Sequence, residues 1–287
     1  MIRAMIRKAL IPMAGFGTRM GPLARVVPKA MFPLVSADGQ VRPVIHWIVS
    51  EALAAGVEQV GLTVNPAHVE LVRRYFAAAD EAAGSDLAQR LEYVIIPRPE
   101  GLGAAVAYGE TFLGDEPFLL LLGDYVYVQA TGRPTCAAQV ASAFAEWGGA
   151  AMIGMQPVGP DEVPRCGVAR GEPLGGGVYR CTRLIEKPDL DTARRELVTP
   201  GLAPHQFLAH AGIYAFSPEI FHCVDELMSA DRPDGEEVEL TDAQVMLLER
   251  HPDECRLLRI AGRGHDTGNP AAYLAAQAAV RHARTTR

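Results

Sequence analysis

The most informative stretch of this chain is Ala9-Leu10-Ile11-Pro12-Met13-Ala14-Gly15-Phe16-Gly17-Thr18-Arg19-Met20, followed by Pro28-Lys29. Its apolar start predicts a buried strand, and a glycine loop with two cations follows. The loop glycines lack a Cβ, so their backbone N–H groups can approach an anion closely. Arg19 can contact phosphate oxygens through two N–H groups, and Lys29 adds a mobile positive charge. The pattern favours a di- or triphosphate site, and an ordinary strand-to-helix turn is the alternative.

The loop fits neither of two common phosphate-binding patterns. It lacks the third glycine of the dinucleotide fingerprint, and the chain contains no Gly-x-x-x-x-Gly-Lys-Ser/Thr segment. A phosphate site of another kind is therefore expected.

Composition restricts the class of ligand. The chain has 287 residues, of which 49% are hydrophobic, so it can bury a large core. A formal net charge of −7 argues against a nucleic-acid polymer as partner, because such proteins display a basic surface. Local cations in an acidic protein fit a small anionic ligand.

The cysteines and the apolar runs indicate the compartment. Five widely spaced cysteines without a Cys-x-x-Cys pair predict reduced thiols rather than a zinc site or a disulfide framework. No apolar run approaches the ~20 residues of a membrane helix, and no signal-peptide cleavage pattern is seen. We expect a cytoplasmic protein that does not contact a membrane.

Apolar runs alternate with helix-like segments along the chain. Strands are predicted over residues 8–13, 59–64, 91–96, 118–122, 150–156, 176–185 and 209–216. Helices are predicted over residues 43–55, 66–83, 103–112, 189–200, 218–228, 241–250 and 270–283. Unbroken apolar strands separated by helices indicate an α/β fold with a doubly wound, mostly parallel sheet. Such sheets bind ligands beyond the carboxyl ends of their strands.

Two aspartates are candidate metal ligands. Asp124 follows an apolar run and a glycine, where a carboxylate suits Mg²⁺ and turn capping is the alternative. Asp266 lies among glycines, where it either completes the metal site or caps the last helix. Neighbouring His265 is interpreted as structural. The helix over 241–250 is expected to be capped by Thr241 or Asp242.

Further candidate binding residues end a strand or begin a helix. Glu186 could accept hydrogen bonds from two sugar hydroxyls and Lys187 could reach a phosphate, with a surface salt bridge as the alternative. Gly167 would let a ligand ring approach the backbone. Gly101-Leu102-Gly103, which opens a helix, offers N–H groups to a nucleobase or a phosphate.

In this order, these segments resemble the sugar-1-phosphate nucleotidylyltransferases, and among them the bacterial UTP–glucose-1-phosphate uridylyltransferases. The resemblance runs from Lys8 to about Ala283. Besides the opening stretch, it rests on Gly101-Leu102-Gly103, Gly114-Asp115-Glu116-Pro117 leading to Asp124, Glu186-Lys187-Pro188, Glu237-Val238-Glu239-Leu240-Thr241-Asp242 and Gly264-His265-Asp266-Thr267-Gly268-Asn269. It implies a Rossmann-like nucleotidyltransferase fold with a small mixed β insertion.

The resemblance also implies a role for each matched residue. Arg19, Lys29 and Lys187 would be catalytic, the first two on the triphosphate and the third on the sugar phosphate. Asp124 and Asp266 would hold Mg²⁺. The remaining matched residues would bind nucleotide (Ala14, Gly15, Gly17, Thr18, Gly101 and Gly103) or sugar (Gly167, Glu186 and Tyr214). The sugar-1-phosphate oxygen would then attack the α-phosphorus in line and expel pyrophosphate.

The chain departs from the family pattern at three places. The stretch Ile95-Ile96-Pro97-Arg98-Pro99-Glu100 has no glutamine, whereas the family usually has one there that reads the pyrimidine edge. Ala104 stands where histidine is common, and Ile213 replaces an arginine. UTP and glucose 1-phosphate are favoured, and three alternatives stay open. These are dTTP or CTP as donor, an acceptor such as phosphocholine or a phosphonate, and a non-catalytic nucleotide-sensing subunit.

The organisation expected from this resemblance is a single domain over residues 1–287. Its nucleotide-binding part covers about 8–128 and its sugar-phosphate-binding part about 150–270. The expected partners are an NTP and a small phosphorylated substrate, and the expected assembly is a homodimer or a homotetramer.

Overall fold

The computed structural model of the protein describes residues 5–15, 17–97, 100–231, 233 and 237–282. Phe16 of the glycine loop lies outside these residues. So do Arg98 and Pro99 before the Gly101-Leu102-Gly103 segment, and Ala283 at the end of the last predicted helix.

The strands form one large sheet and two small two-stranded sheets. Strands β1 to β13 span Lys8–Pro12, Pro33–Val35, Val41–Pro43, Gln59–Val64, Leu91–Ile95, Phe118–Leu121, Tyr125–Gln129, Ala151–Val158, Val168–Gly175, Val178–Ile185, Phe207–Phe216, Cys255–Arg259 and Gly262–Asp266. The large sheet has the order β5-β4-β1-β6-β11-β8-β12-β10-β9, and β13-β7 and β2-β3 form separate two-stranded sheets.

Helices cover both faces of the large sheet. Helices α1 to α9 span Val44–Ala54, Val69–Ala83, Leu102–Tyr108, Glu110–Leu113, Cys136–Trp147, Leu190–Glu196, Glu219–Ser229, Leu240–Arg250 and Pro270–His282. In β1, Ala9 and Ile11 pack with α1, α2, α5 and α9, whereas Leu10 faces the core built by α3, α4, α7 and α8. Successive side chains of a strand point to opposite faces, so a strand that is apolar throughout feeds two cores. The predicted α/β class is confirmed.

The predicted mostly parallel sheet with a small mixed insertion needs correction. Strands β5, β4, β1 and β6 are parallel. Beyond them β11 runs antiparallel to both β6 and β8, and β10 runs antiparallel to both β12 and β9. The mixed region therefore continues the same sheet instead of forming an insertion. Apolar runs predict buried strands but carry no information on their direction.

Most predicted elements form within a few residues of their expected bounds. The helix expected over 103–112 is divided into α3 and α4 at Gly109, where a Cβ would come within 2.6 Å of Leu10 Cδ2. Helix α5 was not predicted, although Thr135 accepts a hydrogen bond from Ala138 N–H at its start. The sequence analysis also missed β2, β3, β7, β9, β12 and β13. Among the described residues no helix is long and apolar enough to cross a membrane.

Candidate active site

Asp124 and Lys29 form an ion pair at the carboxyl end of β6. Asp124 lies three residues after β6, and its Oδ2 accepts a hydrogen bond from Lys29 Nζ. The two side chains are 19% and 18% exposed, so the pair is partly shielded but reachable from solvent. The predicted metal ligand and one of the predicted triphosphate cations therefore lie in direct contact.

The small sheet β13-β7 brings Asp266 next to Asp124. Asp266 ends β13 and pairs in register with Tyr125, the residue after Asp124. Thr267 reinforces this approach, because its backbone N–H and its hydroxyl both donate to Asp124 O, at 2.7 and 2.8 Å. Burial and the nearby Asp124 charge raise the pKa of Asp266. The two carboxylates thus repel each other, which is the electrostatic situation that a bound cation relieves.

Gly268 marks the point where the predicted residues converge. A Cβ on Gly268 would lie 2.8 Å from Asp266 Oδ1, 3.2 Å from Asp124 Oδ2 and 3.6 Å from an Arg19 terminal nitrogen. Gly268 N–H also donates to Asp266 Oδ1 at 2.6 Å. Arg19, Lys29, Asp124 and Asp266 therefore surround one small space.

The geometry argues against the capping roles that were the alternatives for the two aspartates. The last helix is capped by Asn269, whose Oδ1 accepts from Ala272 N–H at 3.0 Å, and not by Asp266. The Asp124 carboxylate contacts Lys29 instead of capping the following segment. Both carboxylates are therefore turned toward the shared space.

The donor set fits a hard divalent cation. Carboxylate oxygens are the ligands that Mg²⁺ prefers, and it usually keeps waters or substrate phosphates in its remaining positions. In the part of the chain that the structure describes, no cluster of three or more His, Cys, Asp or Glu side chains is arranged to hold a metal. A cation at Asp124 and Asp266 would thus depend on substrate oxygens for the rest of its shell.

The glycine loop follows β1 on the same edge of the sheet. Gly17 has φ +58°, a left-handed conformation that favours glycine, and starts the short 3₁₀ turn Thr18–Met20. Gly15 is exposed, and a Cβ there would meet nothing within 4 Å. Ala14 is buried against Ile96 and Ala105, whereas Thr18 is exposed. The loop leaves open space above Gly15.

The predicted N–H donor at Gly103 needs correction. Gly103 N–H donates to Val238 O at 2.8 Å, so this amide is already used inside the protein. A Cβ on Gly101 would lie 2.5 Å from Val238 O, and Gly101 has φ +106°. These glycines allow the Val238 backbone to approach closely. Because the two segments are far apart in the sequence, the sequence analysis could not find this contact.

Glu186 is held by two donors, one on each oxygen. Lys187 Nζ lies 2.9 Å from Oε1, and the Thr241 hydroxyl donates to Oε2 at 2.8 Å. Burial would raise the pKa of Glu186, but the hydrogen bonds from Lys187 and Thr241 outweigh it and lower this pKa. The same bond to Glu186 raises the pKa of Lys187. The expected cap at Thr241 is wrong, because α8 starts at Leu240 and the Thr241 hydroxyl serves Glu186.

Gly167 lies against Glu186 and against His210, which the sequence analysis did not identify. A Cβ on Gly167 would lie 2.9 Å from Glu186 Oε2 and 2.8 Å from His210 Nδ1. His210 Nδ1 is 3.3 Å from the Tyr214 hydroxyl, and its Nε2 is buried without a partner among the described residues. Burial lowers the pKa of His210 to about 4, so the ring is neutral near pH 7. Tyr214 is buried, and its ring packs edge-to-face against the His210 ring at 5.5 Å between centroids.

Two groups of residues thus lie along one edge of the sheet. The first contains Arg19, Lys29, Asp124 and Asp266. The second contains Gly167, Glu186, Lys187, His210 and Tyr214. The two groups are close enough that the Arg19 charge lowers the pKa of Lys187, against the larger raising effect of Glu186. A separate cavity of about 300 Å³ between β10 and α8 is lined by none of the predicted residues, so cavity size does not identify this site.

Signals for the missed residues were weak. His210 and Thr241 lie in segments whose periodicity indicates only a buried strand and a helix. The one available signal for His210 was a polar side chain within an apolar run, and a satisfied core residue is the usual explanation of such a pattern. Thr241 stands in a mixed polar segment, where capping of the helix was the role expected of it.

The glycine loop, the aspartate pair and the Glu186–Lys187 pair together define a nucleotidyltransferase site. The sequence profile of the nucleotidyl transferase family matches residues 8–283, and the chain belongs to this family.

Its relatives carry more specific names. UTP–glucose-1-phosphate uridylyltransferase 1 of Staphylococcus saprophyticus is 33% identical over 254 residues, which cover 83% of this chain and 80% of that protein. A UTP–glucose-1-phosphate uridylyltransferase of Bacillus subtilis is 31% identical over 285 residues, which cover 93% of this chain and 87% of that protein. The crystal structure of a UDP-glucose pyrophosphorylase complexed with UDP-glucose superimposes with a TM-score of 0.80 at 28% identity, covering 96% of this chain and 98% of that one.

Proposed function

We propose that this protein transfers a uridylyl group from UTP to glucose 1-phosphate and releases pyrophosphate. The observation that carries the proposal is the convergence of Arg19, Lys29, Asp124 and Asp266 around Gly268, beside the Glu186–Lys187 pair. The names of the relatives support the choice of substrates.

The cations bind the triphosphate in this proposal. Arg19 contacts phosphate oxygens through its guanidinium, and Lys29 leaves Asp124 to contact a second phosphate. Ala14, Gly15, Gly17 and Thr18 bind the nucleotide from the loop after β1. Gly101 and Gly103 contribute by holding the Val238 backbone at the border of the base site.

Asp124 and Asp266 hold Mg²⁺ in this proposal. The ion supplies neutralisation of charge on the phosphates when bound. The shared space at Gly268 and the raised pKa of Asp266 support this assignment, because the second carboxylate lies in an environment where an anion is unfavourable.

The acceptor binds on the second group of residues. Glu186 accepts hydrogen bonds from two sugar hydroxyls, and Lys187 contacts the sugar phosphate. Gly167 lets the sugar approach the backbone, since any larger residue would meet Glu186 and His210. Tyr214 supports the pocket through His210.

A phosphate oxygen of the acceptor then attacks the α-phosphorus of UTP in line. The new P–O bond forms as the bond from the α-phosphorus to the β-phosphate oxygen breaks, and pyrophosphate leaves. Arg19 and Lys29 stabilise the charge that spreads over the transferring group, while Lys187 positions the attacking phosphate. Positioning and charge neutralisation supply most of the rate in such a reaction.

Because the chain departs from the family pattern, the identity of the nucleotide base and of the acceptor is tested by experiment. Ile96 is packed with Ala14 and Ala105, and Ile213 is fully buried in the core on the α1 and α5 face. Neither side chain carries a polar group that could read a base or a sugar. The alternative donors dTTP and CTP and the alternative acceptors phosphocholine and a phosphonate therefore remain part of the test. We further propose one domain with the two parts given above, a homodimer or homotetramer, and a cytoplasmic location.

Pyrophosphate release measured across a matrix of substrates tests the proposal. UTP, dTTP, CTP and GTP are each combined with glucose 1-phosphate, galactose 1-phosphate, phosphocholine and a phosphonate in the presence of Mg²⁺. UTP with glucose 1-phosphate is expected to give the highest kcat/KM. No turnover with any pair would favour a non-catalytic subunit, and a different best pair would correct the substrates while keeping the reaction.

The variant Glu186→Ala discriminates between classes of acceptor. With a sugar phosphate, the loss of two hydroxyl contacts is expected to reduce kcat/KM by at least ~100-fold. An acceptor without neighbouring hydroxyls would be used equally well by the variant and by the unmodified protein.

A further inference from the structure

Residues 237–241, the bridging segment, connect the two groups of site residues. At one end, Val238 N–H donates to Glu100 O at 2.9 Å, and Val238 O accepts from Gly103 N–H at 2.8 Å. The Gly101 Cα also packs closely on the Val238 backbone, since a Cβ there would lie 2.5 Å from Val238 O. The bridging segment is thus fixed to the start of α3, beside the proposed nucleotide site.

At the other end, the bridging segment leads into α8 and reaches Glu186. Thr241 lies in the first turn of α8, is 6% exposed, and donates its hydroxyl to Glu186 Oε2 at 2.8 Å. Because Lys187 Nζ contacts the other oxygen, the plane of the carboxylate is defined by two donors on different elements. Each carboxylate oxygen keeps a further lone pair that can accept a hydrogen bond.

We propose that Thr241 is a positioning residue that sets the orientation of Glu186 for the hydroxyl groups of the acceptor. This inference rests on the proposed function of Glu186. A carboxylate that accepts two hydroxyl donors at once must have its plane aligned with them, and alignment before binding avoids the loss of side-chain freedom upon binding. Lys187 alone cannot set the plane, because its exposed, flexible side chain contacts only one oxygen.

The bridging segment also ties Thr241 to the start of α3. Val238 makes two backbone hydrogen bonds there, with Glu100 and Gly103, and the chain continues directly from Val238 to Thr241.

The variant Thr241→Val tests the proposal, because valine keeps the shape and removes the hydroxyl. KM for glucose 1-phosphate is expected to rise about tenfold, the effect of one hydrogen bond to a charged group, while KM for UTP changes by less than about twofold. Thr241→Ser is expected to restore the acceptor KM. Thr241→Ala serves as a second hydroxyl-free variant if valine impairs folding.

Thr199→Val is the matched control. Thr199 is 3% exposed and its hydroxyl accepts a hydrogen bond from Gly171 N–H at 3.2 Å, so it is a buried structural threonine away from Glu186. This variant is expected to lower thermal stability without changing the acceptor KM.

A double-mutant cycle with Glu186→Ala, which removes the acceptor of the Thr241 hydroxyl, shows whether Thr241 acts through Glu186. In the Glu186→Ala background, Thr241→Val is expected to change the acceptor KM by less than about twofold. An unchanged acceptor KM in Thr241→Val, an equal rise in both KM values, or a full additional effect in the Glu186→Ala background would each overturn the proposal. Turnover by the unmodified protein tests the proposed function separately, and the best acceptor of the substrate matrix is used for all variants.

Discussion

Lys29 Nζ contacts Asp124 Oδ2, so the residue proposed to bind triphosphate and the residue proposed to bind metal neutralise each other. A cation that coordinates Asp124 Oδ2 competes with the lysine for this oxygen, and the released lysine is then available to an anion. Metal binding and triphosphate binding are therefore expected to favour each other, because each separates the same ion pair.

The first prediction concerns Lys29→Met. This variant is expected to lower kcat about 100-fold, since a charge at the transferring phosphate is lost. It is also expected to bind Mn²⁺ more tightly without nucleotide, because the competing ammonium is removed. Calorimetric titration with Mn²⁺ measures the second effect. Lys8→Met is the control, because Lys8 Nζ contacts the Phe112 and Leu113 carbonyls and the Phe112 ring, away from the site. Unchanged Mn²⁺ affinity in Lys29→Met would contradict the competition.

The second prediction concerns the aspartates and the metal. Asp124→Asn and Asp266→Asn are each expected to lower kcat/KM by at least ~100-fold, because a neutral amide is a poor ligand for Mg²⁺. Removing divalent cations with a chelator is expected to abolish pyrophosphate release, and added Mg²⁺ to restore it. Glu116→Gln, which breaks the exposed ion pair with Arg7, is the control and should retain normal turnover. Near-normal activity in either aspartate variant would refute the metal assignment.

The third prediction concerns Arg19→Ala, which is expected to lower kcat/KM by at least ~100-fold through loss of charge stabilisation at the transferring phosphorus. Arg25→Ala removes an exposed arginine of the same loop region and is expected to have little effect. Steady-state pyrophosphate release compares the two variants. Equal activities would mean that the loop acts through its overall charge and not through Arg19.

The fourth prediction concerns Gly167→Ala. The added methyl group would lie 2.8 Å from His210 Nδ1 and 2.9 Å from Glu186 Oε2, and the buried His210 ring has little room to move. The KM of the acceptor is expected to rise at least tenfold, while that of UTP stays nearly constant. Gly159→Ala is the control, because a Cβ there meets nothing within 4 Å. An unaffected acceptor KM would place the sugar elsewhere.

The fifth prediction concerns the buried Glu51, which accepts a hydrogen bond from Ala137 N–H at the start of α5. Burial raises the pKa of Glu51 from 4.5 to about 7. The folded state then holds this proton more tightly than the unfolded state, so the stabilisation is complete below pH 4.5 and is lost as the pH rises through 7.

Glu51→Gln keeps an acceptor oxygen and cannot ionise. Relative to the unmodified protein, it is expected to raise the free energy of unfolding at pH 8 by about 1–3 kcal/mol and to change it little at pH 4.5. Urea unfolding at both pH values measures the difference. Glu81→Gln, at an exposed position of α2, is the control. A difference that does not depend on pH would show that Glu51 does not titrate in this range.

Sequence and structure agree best where a local pattern is enough. The strands over 59–64 and 118–122 and the helix over 43–55 form within one residue of their predicted bounds, because continuous apolar runs and helical spacing reflect burial directly. The order of motifs was also sufficient to predict the nucleotidyl transferase family, which the profile match over residues 8–283 confirms.

The relative placement of the site residues required the tertiary structure. Asp124 and Asp266 meet only because β7 and β13 pair in one particular register, and no local pattern specifies a pairing between segments so far apart. For the same reason, the sequence could not predict the Thr241–Glu186 hydrogen bond or the direction of β11 and β10.

The residue types of the site and their order along the chain follow from the sequence: cations after β1, a carboxylate after β6, a Glu-Lys pair after β10 and a second carboxylate near the last helix. The contacts among them, the amides that are already used, and the buried polar groups such as His210 that join them emerge in the folded chain. Side-chain chemistry and strand burial are local properties, whereas contacts depend on strand register and packing across the whole sheet.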